Sequence, residues 1–152
     1  MPHRGRTTAI LLATGAVVVM VVGVSNFWGD IVGFFQTDAD RIQGKWKTVL
    51  ISMNGRPWAT GKAAMQNVRI FEGETLRMVV EDVDREILGY RLDENHQPGW
   101  LDVIRPDGSS ILGIYELEGD TLRICEGGSK RPTAFEWKDG SSDTILYVLQ
   151  RE

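Results

Sequence analysis

The chain has 152 residues, of which 42% are hydrophobic and 25% charged, and a net charge of −4; this ordinary globular composition excludes a disordered chain and a collagen-like repeat. Arg4, Arg6 and Asp30 give residues 1–37 a charge of +1, which leaves −5 for residues 38–152. That acidic balance excludes a nucleic-acid surface, which needs a basic stripe to displace counterions.

His3, Arg4 and Arg6 precede a stretch, residues 7–29, that carries no charge over 23 residues. As a helix rising about 1.5 Å per residue it would measure about 34 Å, enough to cross a hydrocarbon core of about 30 Å. With the basic residues on the cytoplasmic side, everything after Asp30 is expected outside the cytoplasm. The stretch reads either as an uncleaved transmembrane anchor or as a cleaved export signal, for which Gly23 and Ser25 form a small-x-small site. Residues 1–37 are therefore assigned to an N-terminal anchor or signal helix with its linker. Residues 38–152 are assigned to one folded domain.

From Trp46 onward, short apolar runs alternate with turn residues, and no segment sustains a helical period. Eight strands are predicted: residues 46–53, 68–72, 75–81, 85–92, 100–104, 110–117, 121–126 and 144–150, with 133–137 (TAFEW) as a possible further one. Asn54-Gly55, Pro106-Asp107-Gly108 and Asp139-Gly140 supply the turns between them. Strands at this spacing, without helical crossovers, predict an all-β antiparallel up-and-down meander that closes into a barrel or packs as a sandwich.

An internal repeat sharpens the topology. FEGETLRM (71–78) and LEGDTLRI (117–124) share a strand end, a Glu-Gly-acid turn and a Thr-Leu-Arg strand start. In an eight-stranded up-and-down barrel both turns fall at one end, where the first strand begins and the last finishes. Trp46 and Arg151 are thus expected together at that end, the indole plugging the base and the guanidinium stacking on its face.

GKW at Gly44 to Trp46, with Arg151 near the C-terminus, resembles the opening Gly-x-Trp motif and closing arginine of the lipocalins. RIQGKWKTVLISMNGRP, ILGIYELEGDTLRICEGGSKRPTAFEW and the terminal ILYVLQRE are similar to a lipocalin-like domain family of unknown function, widespread in planctomycete-type bacteria. The similarity covers about residues 38–152. It implies a lipocalin-like, calycin-type barrel of eight to ten strands and export, and it brings no known reaction with it. The short loop at residues 127–130 departs from the family pattern and is expected to narrow any mouth it borders.

Catalytic and metal chemistry finds little support. Cys125 is the single cysteine, so no intrachain disulfide forms, and thiolate chemistry would need a base for which His96 is the candidate outside the N-terminus. Glu81, Asp82, Asp84 and Glu86 lack the glycine and distal glutamate of a calcium loop and read as a solvated hairpin turn. EGGSKRP lacks P-loop spacing, and no His/Cys group has zinc spacing. The chain is accordingly read as a non-enzyme without metal or cofactor.

A barrel plugged at one end offers a concave site only at the other. Strand parity puts residues 54–66 and 127–143 there, bringing Arg56, Trp58, Lys130, Arg131, Phe135 and Trp137. Of these, Arg56, Trp58, Arg131, Phe135 and Trp137 form the expected ligand-binding set, suited to a small, partly apolar, anionic ligand or a peptide. The alternative is a filled barrel acting as a structural or protein-interaction module of the cell envelope. An empty interior of several hundred Å³ would separate the two.

Overall fold

The computed structural model describes residues 36–128, 130–135 and 143–152. The chain divides into two units, Met1–Thr37 and Asp38–Glu152. The expected anchor or signal helix lies outside the described residues, and among those described no helix is long and apolar enough to cross a membrane.

The second unit opens with α1 (Asp38–Arg41), followed by β1 (Gly44–Met53), β2 (Arg56–Thr60), α2 (Gly61–Met65) and β3 (Asn67–Glu72). Then come β4 (Thr75–Val80), β5 (Val83–Asp93), β6 (Gly99–Ile104), β7 (Ser110–Glu118), β8 (Thr121–Gly127) and β9 (Thr144–Arg151). Every neighbouring pair is antiparallel, and β1 pairs with β9 from Trp46↔Arg151 to Met53↔Ile145. That last pairing closes β1 and β3–β9 into an eight-stranded barrel among the described residues. All eight predicted strands are present, displaced by at most two residues at their ends.

β2 is the ninth strand, and its stretch was expected as loop. Asn54 and Gly55 take φ values of 51° and 72°, the two positive angles of a type I′ hairpin, and the chain folds straight back onto the distal half of β1. The register slips between Ile51 and Ser52, where Pro57 stands opposite Ser52. Proline is confined to sheet edges and bulges because it cannot donate to a ladder, and β2 is such an edge. Residues 133–135 of the possible further strand form none, and the remainder of that stretch lies outside the described residues.

The two Glu-Gly-acid turns lie where the repeat placed them. Gly73 and Gly119 have φ values of 61° and 54°, and each turn links a Glu↔Thr pair across two residues, Glu72↔Thr75 and Glu118↔Thr121. Glu81 and Asp82, at φ 54° and 60°, make the tight turn from β4 to β5, so this acidic run is a hairpin tip.

Alternation fills the lower barrel. Trp46, Phe71, Leu76, Leu88, Leu101, Tyr115, Leu122 and Leu149 point inward and form one buried cluster, with Ile42 below them. The DADR stretch winds into α1, whose acidic first turn and terminal Arg41 suit the helix dipole. It is pinned across the base on both sides: the Trp46 indole donates to the carbonyl of Ile42, just past its end, at 2.7 Å, and the Tyr115 hydroxyl donates to Asp38, at its start, at 2.9 Å. Gln43 accepts from the Gly73 amide at 2.8 Å and donates to the Tyr90 hydroxyl at 2.9 Å. Arg151 lies 4.2 Å over the Trp46 ring and donates to the carbonyls of Gln43, at 2.8 Å, and Arg41. Outside the barrel, Lys45 and Lys47 each reach Glu152 at 2.5 Å and hold its carboxyl below the usual carboxylate range.

Candidate functional site at the barrel mouth

Above the filled half the interior is open. A cleft of about 280 Å³ runs between the inner faces of β1, β3, β4 and β9 and the edge strand β2; its walls are mainly Ile51, Met53, Trp58, Met78, Val80 and Ile145. Thr48, Arg69 and Tyr147 also line it. Trp58 stands at the rim, 67% exposed, and Met53 is 40% exposed.

The floor of this cleft is polar and dry. Arg69 is 2% exposed, an unusual place for an arginine, and its position follows from register: Trp46 faces Arg69 across β1 and β3, and both point inward. The guanidinium reaches past β1 and β9 to Glu126 on β8, with an Nη1 to Oε1 distance of 2.8 Å, and its centre lies 3.9 Å over the Tyr147 ring. Burial disfavours the Arg69 cation, but Glu126 and Tyr147 outweigh that penalty and hold its pKa above the ordinary value. Burial pushes the Tyr147 phenol up as well, against the opposing pull of Arg69, so it stays protonated at neutral pH.

The pair is incompletely satisfied. Arg69 Nη2 and the hydroxyl oxygen of Thr48, both buried, have no hydrogen-bond partner among the described residues. Native interiors rarely leave such atoms alone, because each costs about 1–3 kcal/mol of desolvation. Thr48 is the next inward residue of β1 after Trp46, which makes it the diagonal neighbour of Arg69 on the same inner face. The cleft thus has apolar walls, and at its floor lie two buried polar atoms, Arg69 Nη2 and the Thr48 hydroxyl oxygen, that the fold leaves without a hydrogen-bond partner.

The five expected ligand-binding residues are not gathered there. Trp58 lines the cleft, whereas Arg56 lies at the exposed start of β2, opposite Met53. Arg131 and Phe135 lie against the outer wall, because the chain leaving β8 folds down outside the barrel. Arg131 donates to the Gly113 carbonyl at 2.6 Å, pairs with Asp102 at 2.7 Å and sits 4.3 Å over Trp100. Phe135 packs with the outward-facing Ile114, Cys125 and Leu146, under the Arg123 guanidinium at 4.3 Å. Trp137 lies outside the described residues. Trp46 and Arg151 are together, at the base.

Cys125 belongs to that outer cluster, and burial pushes its thiol up, away from thiolate. His96 is occupied elsewhere: its ring stacks on Trp100 at 3.4 Å and its Nε2 lies 3.4 Å from Asp93. Among the described residues no group of acidic, His and Cys side chains is arranged to hold a metal ion.

Sequence reasoning missed Arg69, Glu126 and Thr48. The available signal was parity: Glu126 continues the inward series Leu122, Ile124, and Arg69 precedes the inward Phe71 by two. No family model, curated protein or solved structure matches this chain.

Proposed function

We propose that residues 38–152 form a lipocalin-like binding domain that takes a small, partly apolar molecule into the barrel mouth and performs no reaction on it. The observation that carries this reading is the buried Arg69, whose Nη2 has no partner at the floor of an apolar cleft. A purely structural module would gain from filling that space, and nothing in such a role uses a guanidinium nitrogen left without a partner. At about 280 Å³ the cleft falls just below the usual range of ligand pockets, roughly 300–1,000 Å³, which suits a short-chain or single-ring molecule rather than a folded peptide. The similarity of GKW and the terminal arginine to the lipocalins supports the same reading.

The test is mass spectrometry of small molecules carried through a mild purification of the full chain. An organic compound should accompany the wild type and be lost from Met78→Trp, whose indole would fill the cleft. Equal recovery from both proteins, or none from the wild type, removes the binding function.

We further propose that the domain is held outside the cytoplasm by residues 1–37, since Arg4 and Arg6 precede the uncharged stretch. Alkaline phosphatase, active only after export, should be active when fused behind Glu152. Full activity of a cytoplasm-only reporter at the same junction would reverse the topology.

A further inference from the structure

The charges at the cleft floor are already balanced. Arg69 is the cation among the described lining residues, and Glu126 neutralises it at 2.8 Å, in a place where only 3% of the arginine side chain and 12% of the glutamate side chain are exposed. The other cations expected at the mouth do not contribute: Arg131 is committed to Asp102 on the outer wall, and neither Arg56 nor Lys130 lines the cleft. What remains at the floor is donor capacity without net charge. A guanidinium has N–H donors and no acceptor, and the Thr48 hydroxyl can turn its hydrogen toward a guest.

We infer that the mouth selects a molecule whose head is a neutral oxygen acceptor, the carbonyl of a ketone, ester or amide on a short hydrocarbon chain, over the matching carboxylate. The inference rests on the proposed binding function and adds the chemistry of the head group. A carbonyl oxygen accepts from Arg69 Nη2 and Thr48 without disturbing the Arg69–Glu126 pair. A carboxylate brings a second anion to one cation in a dehydrated site, where an uncompensated charge is strongly disfavoured. The chain then lies along Ile51, Met78, Val80 and Ile145, toward Trp58 at the rim.

Three probes of equal heavy-atom count separate the possibilities: octanoate, octanamide and heptyl methyl ketone. Each is titrated calorimetrically into the full chain in lipid nanodiscs, with empty nanodiscs as the blank. Both neutral probes should bind at least about tenfold more tightly than octanoate, because the carboxylate must enter a dehydrated site whose cation is already paired. Thr48→Val, which keeps the side-chain shape and removes the hydroxyl, should weaken the ketone by about fivefold, the size of one neutral hydrogen bond. Glu126→Gln frees the Arg69 charge and should move the preference toward octanoate by about tenfold or more. Should that variant fail to fold, the wild-type ranking and Thr48→Val still decide. Octanoate binding the wild type as tightly as the neutral probes overturns the head-group assignment while leaving the cleft as a binding site. An unchanged ketone affinity in Thr48→Val overturns the placement of the head on this floor. No heat above the blank from any probe overturns the assignment together with the binding function beneath it.

Discussion

Replacing Arg69 alone with methionine should cost the barrel about 3–5 kcal/mol, because it strands the Glu126 carboxylate in the interior without a counterion. The mirror-image change, Glu126→Leu, strands the guanidinium and should cost a similar amount. The double substitution Arg69→Met/Glu126→Leu removes both charges together with the unpaired Nη2, and buried ion pairs replaced by apolar side chains of similar volume are often neutral or even stabilising. It should therefore recover most of the loss, to within about 1 kcal/mol of the wild type or better. Chemical denaturation of the full chain, followed by tryptophan fluorescence, measures all four proteins of the cycle. Single variants that each cost less than about 1 kcal/mol would mean that water reaches the pair and solvates the survivor. That result would contradict the dry floor. Recovery of that size by the double variant would mean that the ion pair adds little net stability to the barrel, as expected where the cost of dehydrating two charges offsets their attraction.

The parts of this fold legible in the sequence are those set by local chemistry. Asn54-Gly55 and the duplicated Glu-Gly-acid turns fix hairpins through φ angles open mainly to glycine and asparagine, and period-two alternation marks the eight barrel strands. β2 was harder to read because Pro57 weakens the strand signal and because the strand is held by pairing with β1 over a few residues at an edge. The site was harder still. Cations and aromatics in the long loops look like ligand contacts in one dimension, yet the direction in which a chain leaves its strand is a tertiary matter. After β8 it turns outward, and Arg131 and Phe135 become cladding for the outer wall. Arg69 was hidden by its neighbours: in VRIF the flanking Val68 and Ile70 have the apolar character of a core face, and only the register with Trp46 turns the arginine inward.

The same register governs the opposite end of the barrel, where Trp46→Ala should cost about 3–5 kcal/mol, the usual range for emptying a buried aromatic site. Trp46 is fully buried, and its loss also leaves the Ile42 carbonyl without the 2.7 Å indole hydrogen bond. Arg151→Ala should cost about 2 kcal/mol, since the guanidinium supplies a cation–π contact and charge-assisted hydrogen bonds to two carbonyls of the segment that seals the base. Arg151→Lys should recover little of this, because an ammonium has neither the planar face that stacks on the indole nor the fork that reaches both carbonyls. The decisive measurement is again a cycle. Without the indole, Arg151 loses the surface it stacks on; without Arg151, α1 and Ile42 lose a tie to the last strand, and the indole loses its cover. The two changes should therefore fall short of additivity by about 1 kcal/mol, within the range found for residues in contact. Losses that add to within about 0.5 kcal/mol would mean that the two side chains act independently. Barrel closure would then rest on the β1–β9 ladder and the buried cluster alone, with Arg151 reduced to a stabiliser of the C-terminus.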